Sequence, residues 1–326
     1  MNFCALVVWL VTGKCNLSCR HCYASRFSGL PELSTEEALR VVEGVSEIGV
    51  RHLSITGGEP TLREDLPKLV IEAQERGLHV SVFTNALRLT DGLMKFLAKR
   101  DVEVRVSIDG VSEESFTKIR GPYLRLVLEK VEKLRGFGAD VEPVMTVNTI
   151  NYHEVGKYVE LCAEIGASGA ALIPIIPIGR ADRLIMPTPS MTKEAFLLAA
   201  QKAEEVGLDV ELWCSPFASS FMKSKRVYVP GCIISVCMDI APDGSVLLCD
   251  TVDIKVTDVK KGVREAWEEY SNSELVRYLT RQENLKDPCR TCKHASACLG
   301  GCHARALAIY GDLMMPDPLC PLASNE

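Results

Sequence analysis

From residue 4 to about residue 212 the chain alternates short apolar runs with amphipathic stretches, and this rhythm restricts the fold more than any other feature. ALVVWLV, HLSIT, VSVFT, VEVRVSI, DVEPVMTV and AALIPII are strand-like. Between them STEEALRVVEGVSEIG, REDLPKLVIEAQERG, TDGLMKFLAKR, YLRLVLEKVEKLRGFG and HEVGKYVELCAEIG carry a helical period. Strand then helix, repeated about six times, predicts an α/β fold: a parallel sheet with helical crossovers. Ser34 with Glu37 forms a capping signal, and Gly49, Gly77 and Gly166 mark helix ends. Ligands of such folds bind at the carboxyl ends of the strands. The polar and glycine-rich residues gather there. They are a cysteine loop after the first strand, Gly57-Gly58-Glu59-Pro60 after the second, Thr84-Asn85 after the third, Ser107 to Asp109 at the fourth, Asn148 and Asn151 around the fifth, and Gly179-Arg180 after the sixth.

After residue 213 the rhythm changes to a hairpin-like pair, ISVCMDI and SVLLCD joined by Pro242-Asp243-Gly244. Helical KKGVREAWEEY and SELVRYLTRQ and a cysteine-rich tail follow. A length of 326 residues suits two domains, and the expected division is 1–212 and 213–326. A net charge of −6 with no long Lys/Arg block excludes nucleic acid and an anionic membrane surface as expected partners. The apolar run before Cys15 lacks a basic lead and a cleavage site, so it reads as a buried strand. No stretch reaches the 18 or more apolar residues of a membrane span, and a cytoplasmic protein is expected.

Fourteen cysteines without a secretory signal point to metal rather than disulfides. Cys15, Cys19 and Cys22 lie in GKCNLSCRHCY with three and two intervening residues. Three thiolates so close can hold three irons of a 4Fe-4S cluster and leave the fourth open to a small ligand. A zinc knuckle or free thiols are the other readings of that loop. Cys232, Cys237, Cys249, Cys289, Cys292, Cys298, Cys302 and Cys320 supply the eight thiolates that two further complete clusters need, with a pair of zinc sites as the rival. Cys4, Cys162 and Cys214 fit neither set and read as core packing.

The cysteine spacing, the aromatic His21 before the third cysteine and TGGEP at residues 56–60 together resemble the radical S-adenosylmethionine superfamily over residues 4–212. The resemblance implies a partial (β/α)6 TIM-like barrel. It also implies that the open iron takes the amino nitrogen and carboxylate of S-adenosylmethionine, whose reductive cleavage yields a 5'-deoxyadenosyl radical that abstracts a substrate hydrogen. Carried onto this chain, Gly57, Gly58, Glu59 and Pro60 form a turn whose backbone and carboxylate suit the ammonium. Ser107 would contact the ribose or carboxylate, Asn148 the ribose and Arg120 the carboxylate, with His21 and Thr84 on the same rim. Each also reads as a loop cap or helix start, and Asp109 as a loop cap.

Residues 232–320 resemble the SPASM extension of that superfamily. The resemblance implies three 4Fe-4S clusters in all, with Cys232, Cys237, Cys249 and Cys302 on an inner auxiliary cluster and Cys289, Cys292, Cys298 and Cys320 on an outer one. Fully ligated clusters suit electron transfer, which makes the net reaction an oxidation or decarboxylation with ferredoxin or flavodoxin as external reductant. Asp250, next to Cys249, matches a general-base aspartate of sulfatase-maturing relatives; the other reading is a hairpin-end residue facing solvent.

The tail CLGGCHARALAIYGDLMMPDPLCP is similar to that of radical enzymes that remodel tetrapyrrole side chains, with His303 where those commonly have Arg. The pattern around Arg305 is equally explained by helix packing. A tetrapyrrole is therefore the leading substrate expectation, and peptide or protein maturation by thioether, carbon-carbon or formylglycine formation the alternative. Fourteen residues ahead of Cys15 leave no room there for a peptide-binding winged-helix module, which leans the expectation toward the smaller substrate. A three-cluster electron carrier or a zinc-stabilised binding module is the non-enzyme reading, though neither needs a vacant iron or an amino-acid clamp.

Overall fold

The six strand-like runs become six neighbouring parallel strands. In the computed structural model, which describes residues 3–323, the chain runs β1 (Leu6–Thr12), α1 (Thr35–Glu47), β2 (His52–Gly57), α2 (Leu66–Glu75), β3 (His79–Thr84), α3 (Asp91–Lys99), β4 (Glu103–Ser107), α4 (Glu113–Arg120), α5 (Leu124–Gly136), β5 (Asp140–Val147), α6 (Val155–Glu164), β6 (Ala170–Pro174), α7 (Pro189–Val206) and β7 (Val210–Leu212). β1 through β6 pair in sequence order, each parallel to the next, and β7 continues the parallel ladder beside β6. The Ser34 and Glu37 capping box forms at α1, and Gly49, Gly77 and Gly166 have positive φ just past helix ends.

Beyond residue 213 come β8 (Val227–Tyr228), β9 (Cys237–Ile240), β10 (Ser245–Cys249), β11 (Val252–Asp258), α8 (Val263–Asn272), α9 (Glu274–Leu279), α10 (Ala295–Cys298) and α11 (His303–Tyr310). These strands do not build a sheet of their own. The described residues form one open sheet in the order β11-β10-β9-β1-β2-β3-β4-β5-β6-β7-β8. β9 lies parallel to β1, with Leu6 opposite Cys237 and Val8 opposite Asp239, and β10 is antiparallel to both β9 and β11. The helical rhythm thus ends near residue 213, whereas the backbone ladder continues on both edges.

The core is equally continuous. One apolar cluster runs from Val7, Trp9 and Val11 on β1 through Val41, Val45 and the barrel helices to Trp267, Tyr270 and Leu319. α8 closes over the cysteine-bearing hairpin through Tyr270, whose hydroxyl lies 2.8 Å from the Ile234 carbonyl and 2.9 Å from that of Leu248. Both carbonyls flank cysteines, Cys232 and Cys237 on one side and Cys249 on the other. None of the fourteen cysteines is in a disulfide, and among the described residues no helix is long and apolar enough to cross a membrane.

Tyr270→Phe is expected to leave those buried carbonyls short of a donor and to cost about 1–3 kcal/mol. Urea unfolding would show this as a lowered midpoint at unchanged slope; an unchanged midpoint would mean that water replaces the hydroxyl.

Candidate functional site

The loop bearing Cys15, Cys19 and Cys22 leaves the carboxyl end of β1 and closes on a short 3-10 turn, Tyr23–Phe27. Its start is stitched to the second loop. Gly58 N donates to Thr12 O at 2.7 Å and Glu59 N to Lys14 O at 2.8 Å. Gly57 has φ +138°, and a Cβ on Gly57 or Gly58 would collide with the Thr12 or Lys14 carbonyl. Only glycine permits so close a backbone approach.

Glu59 was expected to face a ligand ammonium with its carboxylate, but the protein itself occupies that carboxylate. Oε1 accepts from Thr61 N at 3.2 Å, Thr61 Oγ1 at 2.6 Å and Thr84 Oγ1 at 2.8 Å, and Oε2 accepts from Asn85 N at 2.7 Å. Burial raises its pKa, and these four donors oppose the rise. The side chain is a strut between the second and third loops. Pro60 opens the short turn that follows. Asn85 extends the strut, donating to Asn16 Oδ1 at 2.9 Å with Cys15 Sγ 3.9 Å away.

Arg120 and Asp109 are joined in the structure. Read as a cofactor contact and a loop cap, they form a buried ion pair through Arg120 Nε and Asp109 Oδ2. His21 Nε2 lies 3.2 Å from the same oxygen, Arg120 Nη2 lies 3.4 Å from His21, and Arg120 Nη1 lies 3.7 Å from Cys19 Sγ. Burial works against the Asp109 charge, yet Arg120 and His21 hold its carboxyl below the usual range. Burial pushes His21 down to about 4, so the ring is neutral. Its Nδ1 is buried beside the cysteine loop without a hydrogen-bond partner. Asn148 is likewise folded into its own turn, donating from Nδ2 to Thr146 O and accepting at Oδ1 from Ile150 N, both at 2.9 Å. Ser107 ends β4, half-buried on the rim.

Cys237 neighbours Cys249, Cys232 neighbours Cys302, and Tyr270 faces Cys232, Cys237 and Cys249. Cys289 faces Cys320 and Cys292, and Cys298 faces Cys320 and Cys289. Cys4, read as plain core, is buried beside Cys237. Arg305 lies fully buried in an ion pair with Asp317, Nη2 to Oδ2 2.9 Å, and reaches the carbonyls of Pro174 and Cys214. It therefore ties the C-terminal segment to the ends of β6 and β7. His303 bonds Leu313 O through Nδ1 at 2.8 Å.

Asp250 points inward. Tyr23, immediately after Cys22, donates its hydroxyl to Asp250 Oδ2 at 2.6 Å; Arg26 Nη2 donates to Asp250 O at 2.5 Å; and Asp250 N donates to Asp239 Oδ2 at 2.6 Å. Burial pushes Asp239 up to about 7, with the Asp250 charge adding to the rise. Burial also raises Asp250, against the pull of Tyr23 and Arg26. The N-terminal loop and the cysteine hairpin therefore meet at this carboxylate.

These donor sets fit iron-sulfur clusters. A single tetrahedral zinc at a 2.3 Å bond length holds its sulfurs about 3.8 Å apart. Among the described residues, the one trio of Cys, His, Asp or Glu whose ligand atoms lie within 4.8 Å of one another is Asp239, Cys249 and Asp250. Among the described residues no three cysteine sulfurs come this close together.

One cluster escaped the sequence reading. Arg105 of β4 lies over the rings of Phe83 and Trp213, 5.4 and 4.7 Å from their centroids, and pairs with Glu103 at 2.7 Å and Glu142 at 3.2 Å. The signal was present in VEVRVS, where polar residues alternate with buried valines, as they do in a strand with one polar face.

A family model of the radical SAM superfamily matches residues 9–162. The AdoMet-dependent heme synthase of Methanosarcina barkeri is 28% identical, over 97% of this chain and 95% of its own length. The PqqA peptide cyclase of Rhizobium meliloti is also 28% identical, over 95% of this chain and 85% of its own. Among solved structures, anSMEcpe with bound AdoMet and Cp18Cys peptide superposes with a TM-score of 0.77 at 18% identity, covering 99% of this chain and 94% of that one, which shows a shared fold.

Gly58→Ala, by forcing the second loop off Lys14, is expected to weaken AdoMet binding on the order of tenfold or more, with the far-ultraviolet circular dichroism unchanged. Equilibrium dialysis of reconstituted protein would measure this; undiminished affinity would mean that the backbone contact is dispensable.

Proposed function

We propose that this chain, whose residues 9–162 match the radical SAM superfamily model, cleaves S-adenosylmethionine at the Cys15, Cys19 and Cys22 loop and uses the radical to oxidise or decarboxylate a tetrapyrrole side chain. A 4Fe-4S cluster on the three thiolates, when bound, supplies an iron with a free position and the electron that breaks the cofactor's carbon-sulfur bond. The protein contributes the rest. Gly57 and Gly58 bring backbone against the loop, Glu59 and Thr84 keep that turn rigid, and Arg120 holds positive charge near Cys19. The working division is a barrel over 1–212 that starts the reaction and a segment over 213–326 that holds two auxiliary clusters.

The observation that carries this reading is the Tyr23 to Asp250 hydrogen bond. A carbon radical that is oxidised must lose an electron together with a proton or carbon dioxide. Asp250 accepts from Tyr23, the residue after Cys22, and its Oδ1 lies 3.7 Å from Cys249 Sγ, so a proton acceptor joins the cysteine loop to the C-terminal hairpin. Burial raises its pKa toward the working range of a general base. Cys232, Cys237, Cys249 and Cys302 would hold an inner cluster able to accept the electron, and Cys289, Cys292, Cys298 and Cys320 an outer one able to pass it on. A ferredoxin or flavodoxin supplies the first electron, and the fourteen free thiols suit a reducing compartment such as the cytoplasm.

The near-equal length shared with the heme synthase favours a tetrapyrrole. The equal identity to the PqqA peptide cyclase supports a peptide as the second reading. Anaerobic turnover with side-chain-deuterated porphyrins and with deuterated peptides separates them: deuterium should enter 5'-deoxyadenosine from the porphyrin, and transfer from peptide alone would overturn the tetrapyrrole assignment.

Asp250→Asn is expected to keep 5'-deoxyadenosine release and lower product formation by about 10²–10⁴-fold. Product formed at the parental rate would remove Asp250 from the chemistry.

A further inference from the structure

The side chains around Arg105 fix the depth of the barrel. Phe83 lies on β3 and Trp213 just past β7, four strand spacings away and so about 19 Å apart in a flat sheet. Their ring centroids are 6.0 Å apart. The sheet therefore curls until β3 and β7 face each other across a lumen. Arg105 of β4 fills the notch between the rings, its guanidinium carbon 5.4 Å from one centroid and 4.7 Å from the other. These three side chains form a floor. Phe83 and Arg105 are partners in the ladder, and Asn85 and Ser107 follow two residues later in the chain. Two residues of strand rise about 7 Å, so the floor lies one pleat below the rim, where Asn85 reaches Asn16 beside Cys15.

The guanidinium is clamped on one edge and open at the other. Nε faces Glu103 Oε1 at 2.7 Å and Glu142 Oε2 at 3.2 Å, whereas neither Nη1 nor Nη2 is in a hydrogen bond among the described residues. The side chain keeps 19% exposure, so those nitrogens are not sealed in. Glu211 on β7 is engaged elsewhere, its Oε2 accepting from Trp213 Nε1 at 2.5 Å. Burial pushes the Glu142 carboxyl up to about 9, which leaves it protonated at neutral pH and leaves Glu103 to balance Arg105.

We propose that Arg105 anchors the substrate, its Nη1 and Nη2 binding a side-chain carboxylate of the tetrapyrrole that reaches down the barrel. The inference rests on the tetrapyrrole reading of the substrate. Two parallel N–H groups match the two oxygens of a carboxylate, and a guanidinium already fixed by two rings loses little freedom on making the contact. A floor about 7 Å below the rim admits a chain of a few bonds and stops a macrocycle at the mouth. The ring stays outside, and the carbons of its side chain pass the level of the cysteine loop. Arg105 is thus a specificity residue for the inserted side chain.

Fluorescence titration of the reconstituted protein with a porphyrin bearing four propionates, and with its tetramethyl ester, tests this in the parent, Arg105→Lys and Arg105→Gln. The free acid should bind Arg105→Gln about ten- to a hundredfold more weakly than the parent. Arg105→Lys, which keeps the charge and loses the two-nitrogen end, should fall between them, and the ester should bind all three alike. Equal affinity of the acid for the parent and Arg105→Gln would overturn the proposal. So would an ester whose affinity falls in step with the acid's, which would make Arg105 a part of the wall only. Should Arg105→Gln lose its far-ultraviolet circular dichroism, Trp213→Leu, which unclamps the guanidinium and leaves Glu103 paired, takes its place: a several-fold loss for the acid alone is expected, and an unchanged acid affinity would contradict the proposal. A parent that binds neither porphyrin would overturn the tetrapyrrole reading and this proposal with it, a result distinct from tight binding that Arg105→Gln leaves unmoved.

Discussion

β1 has a parallel partner on each side, and the rest of the site depends on that double pairing. On one edge Leu6 to Thr12 registers with His52 to Gly57; on the other Leu6 to Trp9 registers with Cys237 to Ile240. The first pairing sets the GGEP turn against the start of the cysteine loop. The second places Cys237 and Asp239 along the same strand. A slip of one residue on either side would reverse every side chain of the partner, separating the Glu59 strut from Thr84 or turning Asp239 away from Asp250.

Two buried ion pairs lock what the pairings arrange. Asp109 with Arg120 fixes the middle of the cysteine loop through His21 and the neighbourhood of Cys19, and Arg305 with Asp317 fixes the ends of β6 and β7 to the segment around Cys302. A buried pair contributes little to stability unless its remaining donors and acceptors are satisfied. Here they are taken up by Thr146 N, Pro174 O, the Cys214 carbonyl and Leu319 N. Such pairs hold geometry more than they add stability, and geometry is what an oxidation needs when a radical, a proton acceptor and an electron acceptor must meet within one small volume.

The parts legible in the sequence were those written locally. Strand-helix alternation places β1 to β6 nearly to the residue, and Pro242-Asp243-Gly244 marks the turn between β9 and β10. The pairing of β9 with β1 was not legible, because a parallel contact between residues 6–9 and 237–240 leaves no trace in either stretch alone. The same holds for side chains that turn toward their own protein. Glu59, Arg120 and Asn148 have the residue types and loop positions of ligand contacts, but nothing in their sequence tells that Thr84, Asp109 or Ile150 already engages them. The Arg105 cluster was visible as alternation in β4, although its partners on β3, on β5 and just past β7 were not.

The proposed mechanism rests on one set of three thiols that leaves an iron free and on two sets of four. Electron paramagnetic resonance of the fully reduced holoenzyme, with and without S-adenosylmethionine, tests it most directly. The cofactor should perturb one cluster signal alone, and that signal should be the one missing from a protein with Cys15, Cys19 and Cys22 replaced by alanine. A cofactor-induced change that survives in that triple variant would contradict it.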